Sequence, residues 1–190
     1  MRTRTDLLKA AQLAFAQRGY HEASIADITE LADVGVGTFY LHFRDKDEIF
    51  TTLIDEGFRD MHEQIAATVD ENPQGLTLEV VIRAIFRHAY PRRDLFQIAW
   101  SARRSGPVRS YRPQEELLTS LMQILETFEK DTLAAYHVPL LARFMTGIIT
   151  QGIYWWFEND EPGPDEMADQ ALSILRHGLP EQIFTRPINH

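Results

Sequence analysis

Residues 24–46 read SIADITELADVGVGTFYLHFRDK, and this stretch decides the fold. The Ser24 hydroxyl can accept from an orphan backbone N–H of a first helical turn while Asp27 reaches back, the pattern of a capping box. Ile25, Ile28, Leu31 and Ala32 follow at three- and four-residue steps and share one helix face. Asp33 falls at a turn, where its side chain tolerates left-handed backbone better than most. A second helix is predicted from about Gly35, with Thr38, Tyr40, Leu41 and His42 on one side and Phe39 and Phe43 on the other. The first set is too polar and aromatic for a core, whereas the two phenylalanines suit one. Two short helices around a tight turn form a helix–turn–helix, whose second helix lies in the DNA major groove with its N-terminal half at the base edges.

Working outward, residues 8–50, LKAAQLAFAQRGYHEASIADITELADVGVGTFYLHFRDKDEIF, resemble the DNA-binding domain of the tetracycline-repressor (TetR) family of bacterial regulators. The resemblance rests on AA-x-x-x-F-A-x-x-G-Y, then S-I-x-D-I, then V-x-x-G-T-F-Y-x-H-F-x-x-K-x-x-I-F, at ungapped spacing. It implies a DNA-facing set of Ser24, Gly35, Val36, Gly37, Thr38, Tyr40, Leu41, His42 and Lys46. Gly37 lets backbone approach phosphate, and Tyr40 and His42 can donate to phosphate oxygens. Val36 and Leu41 suit thymine methyl groups. Lys46, at the start of the next helix behind Asp45, suits another phosphate. Two positions depart from the family pattern: Asp33 stands where glycine is usual, and Gly35 where serine is common.

The first helix is expected over about Thr5–Arg18, with Leu8, Ala11 and Phe15 inward and Gly19 at its C-terminal cap. Arg2 and Arg4 belong either to an arm that touches the DNA backbone or to a frayed, solvated terminus. The net charge of −9 argues at first against DNA, and residues 1–50 still carry six Lys/Arg against eight Asp/Glu. Binding depends on where the cations sit, and Arg2, Arg4, Arg44 and Lys46 fall at the arm and helix ends that flank a groove. The chain has 190 residues, 44% of them hydrophobic and 25% charged, which is ordinary globular composition. There is no cysteine, so no disulfide framework, which fits a reducing cytoplasm. The N-terminus lacks the apolar run of a secretory signal, and FMTGIITQGIYWWF is too short and interrupted to span a membrane.

Beyond residue 46 the chain reads as further helices: about Asp47–Asp70, Thr77–Tyr90, the DLFQIAWSARR segment, Pro113–Tyr136, Pro139–Glu158 and Asp165–His177. Pro and Gly clusters separate them, and no alternating strand run appears. The expected fold is therefore all-α: a three-helix helix–turn–helix domain over 1–46 and a helical effector-binding and dimerisation domain over 47–190. Helix 139–158 is apolar nearly all round and must be buried, within its own subunit or by a partner. The resemblance implies a four-helix bundle between two subunits, with Met145, Ile148, Ile149, Gly152, Trp155 and Trp156 at the dimer interface. It also implies an effector pocket in the middle helices, with Trp100, Arg103, Tyr111, Met122, Phe128, Phe144 and Tyr154 as candidate lining; for any single one, core packing is the alternative.

These readings lead to a cytoplasmic, homodimeric regulator that binds a pseudo-palindromic operator in double-stranded DNA and is released by a small-molecule effector. No cofactor, metal or membrane is expected. One alternative is an interaction module that kept the helix–turn–helix shape without DNA. The other is an all-α enzyme, which lacks a constellation: His62 and His88 have no HExxH spacing, and no G-x-S-x-G or phosphate-cradling loop is present.

Overall fold

Helix α1 (Arg2–Glu22) contains the expected Thr5–Arg18 segment and extends it at both ends, with a break at Gly19, whose φ of 76° and ψ of 166° leave the helical region. α2 (Ile25–Leu31) and α3 (Val36–Tyr40) form the helix–turn–helix, and α4 (Lys46–Asp70) follows after a short turn. Then come α5 (Leu78–Ala89), a 3-10 turn (Tyr90–Arg92), α6 (Arg93–Arg103), α7 (Pro113–Glu126), α8 (Val138–Asn159) and α9 (Pro164–His177). The computed structural model describes residues 2–73, 75–103, 113–129, 131–159 and 161–179, and among these there is no strand. The fold is all-α, an N-terminal helix–turn–helix followed by a helical C-terminal part.

The chain divides into two compact units, Met1–Ala66 with Pro91–Pro113, and Ala67–Tyr90 with Gln114–His190. This differs from a boundary at residue 46, and packing explains why. Three short helices enclose too little apolar surface to stand alone. In the first unit Phe50 of α4 meets Phe15 and Tyr20 of α1 edge to face, with centroids 5.2 and 4.7 Å apart. Ile49, Phe50, Ile54 and Phe58 are completely buried, so the first half of α4 completes the core under α1–α3. α6 joins the same unit: Phe96 lies edge-on to Phe58 at 4.8 Å. A Cβ on Gly57 would stand 2.6 Å from the end of the Leu95 side chain, so any larger residue there must push that leucine aside.

The second unit is organised on α5, where Val80, Val81, Ile82, Ala84, Ile85, Phe86 and Ala89 are all buried. α8 contributes Ala142, Met145, Thr146, Ile149, Ile153 and Trp156, and α9 contributes Met167, Ala168, Ala171 and Leu172. Trp156 is completely buried, stacks on Tyr90 at 5.1 Å, and donates its indole N–H to the Pro162 carbonyl. A ladder of ion pairs joins α5 to α9: Arg83 with Asp169 at 2.7 Å, Arg87 with Asp165 at 2.8 Å, and Arg176 with Glu79.

α7 ends at Glu126, ten residues before the expected Tyr136. Past that point Thr127 turns its hydroxyl back onto the Ile124 carbonyl, competing with the helical ladder. Glu126, Glu129 and Asp131 would also crowd negative charge onto a helix C-terminus, which the helix dipole disfavours.

Candidate nucleic-acid interface

The reading pair is locked at its entry by the expected capping box. The Asp27 N–H donates to Ser24 Oγ at 3.1 Å, and the Ser24 N–H donates to the Asp27 carboxylate at 2.8 Å. The Ser24 hydroxyl also donates to that carboxylate at 2.6 Å, and Arg18 pairs with it at 2.9 Å, tying α2 to the end of α1. Hydrogen bonds from Ser24, then the Arg18 charge, hold the Asp27 carboxyl below its usual range. Ser24 thus acts on the interface by fixing where α2 begins.

The turn is a Schellman motif: the Val34 N–H reaches the Thr29 carbonyl at 3.0 Å, and the Asp33 N–H reaches Glu30 at 3.1 Å. Asp33 sits at φ 53°, the one non-glycine residue in left-handed backbone among those described. Gly35 then caps α3 without a side-chain hydrogen bond. α3 is only five residues long, and Leu41 and His42 continue it as a turn.

Phe39 and Phe43 are buried beneath α3, as their spacing indicates. Outward stand Val36, Tyr40, Leu41 and His42, with Thr38 half-buried; Leu41 is 81% exposed. A Cβ built on Gly35 or Gly37 would meet nothing within 4 Å, so nothing inside the chain demands glycine there. Gly35 suits its N-cap position, and close approach by another molecule is one physical use for a bare Gly37. Apart from His42, the outward face has no acidic or basic side chain.

The flanking cations are differently disposed from the sequence expectation. The Lys46 ammonium donates to the carbonyls of Tyr20 (2.8 Å), His21 (3.1 Å) and Ala23 (2.8 Å), and lies 4.6 Å from the Tyr20 ring centroid. An ammonium has three protons, and all three are taken. Lys46 thus ties the start of α4 to the end of α1. Burial, then Asp47, raises the hydroxyl pKa of the adjacent Tyr20, which donates to the Asp47 carboxylate. Arg4 lies on α1, neither frayed nor in a free arm. Its guanidinium makes two bonds to Glu56, at 2.7 and 3.3 Å, and lies 5.6 Å from the Phe43 ring centroid. Among the flanking cations whose side chains are described, Arg44 faces solvent: its side chain is 83% exposed and its pair with Glu48, at 3.1 Å, is a surface one. A position between two helices, on no periodic face, gives it no sequence signal beyond its charge.

In the second unit the six residues expected at a dimer interface differ in burial. Met145, Ile149 and Trp156 are buried in their own unit, and a Cβ on Gly152 would lie 3.6 Å from Met167 of α9. Ile148 is half-buried and Trp155 is 54% exposed. The apolar stripe left outside is Leu140, Phe144, Ile148 and Trp155, at steps of four, four and seven, one helix face.

The expected effector-pocket residues lie on several elements. Met122 and Phe128 line an open cavity of about 400 Å³ with Leu125, Leu133, Tyr136 and Pro139. Phe144 is 62% exposed on α8, Tyr154 is half-buried on the same helix, and Trp100 belongs to the first unit. Tyr111 and the Arg103 side chain lie outside the described residues. A second cavity, of about 460 Å³, is polar, with Thr68, Asn72, Glu79, Arg83 and Arg87 on its walls. Among the described residues no three His, Asp or Glu side chains gather as metal ligands, and no helix is long and apolar enough to cross a membrane.

The family model of bacterial regulatory proteins, tetR family, matches residues 7–53, from α1 to the first turns of α4. The HTH-type transcriptional regulator TtgR of Pseudomonas putida is 39% identical over 64 residues, spanning 34% of this chain and only 30% of that protein. The HTH-type transcriptional repressor KstR2 of Rhodococcus jostii is 27% identical over 187 residues, 93% of this chain and 90% of that one. Among solved structures, a transcriptional regulator from Aquifex aeolicus has the same fold, with a TM-score of 0.75 over 92% of this chain and 98% of that one at 18% identity. A Schellman turn, a capped α2 and an exposed, glycine-bared α3 thus lie inside residues 7–53, the segment that matches the model of bacterial regulatory proteins, tetR family.

Proposed function

We propose that the protein is a homodimeric transcriptional repressor, acting in the cytoplasm, that grips a pseudo-palindromic operator and is released by a small molecule. The observation that carries this reading is the α3 surface: Val36, Tyr40, Leu41 and His42 stand outward over a buried Phe39–Phe43 floor, beside two glycines that the fold does not need. A floor of this kind fixes the reading helix in space, and base edges reward such fixity. The full-length similarity to a named repressor supports the direction of regulation. The chain works as a regulator and not as an enzyme, in keeping with the named relatives.

The remaining parts follow from the same reading. The stripe of Leu140, Phe144, Ile148 and Trp155 is the surface offered to a second copy, and a two-fold dimer sets two reading helices about 34–36 Å apart. The effector enters the helical part, within 47–190, and must bind the released state better than the gripping state, because equal affinity shifts nothing. The test is capture of genomic fragments by the full-length protein at near-physiological salt, followed by sequencing, with sedimentation of the same sample. The expected result is a dimer that enriches a pseudo-palindrome beside a promoter. A folded dimer that enriches nothing would reject the proposal.

A further inference from the structure

We infer that each operator half-site is read chiefly through thymine C5 methyl groups, by Val36 and Leu41. This rests on the DNA-binding reading above and concerns what that surface can recognise. From Val34 to Phe43 the chain is VGVGTFYLHF, with no Arg, Lys, Asn, Gln, Asp or Glu. Those are the side chains that make paired hydrogen bonds to guanine or adenine, or accept from cytosine. Their absence from the reading helix leaves single-donor groups on Thr38, Tyr40 and His42, which serve phosphate oxygens as readily as bases. The next residue along the chain, Arg44, has its Nε on Glu48.

What the helix does offer is apolar. Val36 is 47% exposed and Leu41 81%, and neither completes a cluster inside the unit. Val36 and Tyr40 are four residues apart, as are Gly37 and Leu41, so two short rows lie side by side. The glycine opens the second row to the groove floor, since a Cβ there would meet nothing within 4 Å. In the major groove the base-edge group that takes an apolar partner is the thymine methyl. Covering one methyl removes about one buried carbon's worth of surface from water, or about fourfold in affinity.

The experiment starts from duplexes that the full-length protein selects out of a random library. In the selected duplex each thymine is replaced singly by uracil, which deletes only the methyl. We expect one or two positions per half-site to lose about fourfold, with Leu41→Ala and Val36→Ala each making one of them insensitive to the replacement. Both side chains are on the surface, and unchanged circular dichroism checks that the variants fold. A duplex carrying uracil at every half-site thymine that binds like its parent overturns this inference while leaving the DNA-binding reading intact. A folded protein that selects no duplex overturns both.

Discussion

Asp33 offers a sharp test of how the reading pair is built. Its φ of 53° is a conformation that costs an L-residue about 1–2 kcal/mol, less for Asp than for most. Asp33→Gly removes that cost but returns about 0.4–1 kcal/mol through the larger entropy of the unfolded chain. The carboxylate also stands at the C-terminal end of α2, where the helix dipole disfavours negative charge by about 0.3–1 kcal/mol. The two Schellman hydrogen bonds are backbone bonds and survive the change. The net expectation is a gain of about 1 kcal/mol, or about 2–4 °C in Tm for a chain of this length. Asp33→Asn keeps the tolerance for left-handed backbone and removes only the charge, so it should recover about half of that gain. Both substitutions also delete a negative charge beside the groove. At about 8 Å from a phosphate in water that charge is worth about 0.5 kcal/mol, roughly twofold per subunit, fading as salt rises. Urea unfolding followed by circular dichroism measures the first effect, and operator titration at two salt concentrations the second. A glycine variant less stable than the parent, or no more stable than the asparagine variant, refutes the strain argument. An asparagine variant with parental operator affinity at low salt refutes the charge argument.

Other expectations follow from where the cations and aromatics lie. Lys46→Met strips three charge-assisted bonds from the end of α1 and should cost about 2 kcal/mol in urea unfolding, while the slope of log K against log salt for operator binding stays put. Arg44→Ala should do the reverse, leaving stability within about 0.5 kcal/mol and lowering that slope by about one per subunit. Trp156→Ala empties the centre of the second unit and should cost about 3–5 kcal/mol, whereas Trp155→Glu should leave the fold intact and yield monomers by sedimentation. Acid should loosen the structure at Asp27 and Glu79, whose carboxyls are held below their ordinary 3.8 and 4.5 by hydrogen bonds from Ser24 and from Arg176 and Arg83. The folded pKa is the lower one, so this stability is full above the ordinary values and is lost as pH falls through the folded values. Asp27→Asn should flatten that dependence in a pH series of urea titrations.

The helix–turn–helix was legible because its signals are local. Ser24 and Asp27 are three residues apart and bond to each other, and Phe39 and Phe43 are four apart and share a floor. Helix α8 was not legible in the same way. Its buried set, Ala142, Met145, Ile149, Ile153 and Trp156, and its outward set, Leu140, Phe144, Ile148 and Trp155, both step by threes and fours. Two interleaved stripes on one helix leave the sequence with no phase, and neighbouring tryptophans at 155 and 156 hide the border between them. Thr146 deepens the ambiguity, because it is buried with its hydroxyl on the Ala142 carbonyl at 2.8 Å, a polar residue on the apolar side. The effector candidates pose a related problem. Which aromatics share a cavity is set by contacts between helices far apart in sequence, and spacing along one helix carries none of that.

The cations show what a charge count along the sequence leaves out. Charge counted along the sequence treats every Lys and Arg as available, yet the first unit uses several of its cations as braces: Arg4 on Glu56, Arg18 on Asp27, Lys46 on three carbonyls, Arg92 on Asp60 at 2.5 Å. Each brace joins two different elements, and those at Arg18 and Lys46 meet at the junction of α1, α2 and α4 that supports α3. A reading helix this short, five residues with no side-chain cap, has little stability of its own. Its orientation must be imposed from below, by the buried phenylalanines and by these braces. The charge that a more basic protein would place against phosphate is here turned inward to hold a neutral surface still. Affinity on such a surface owes more to its shape, and to its being rigid before DNA arrives, than to counterion release. Weakening a brace should therefore lower operator affinity without changing its salt slope.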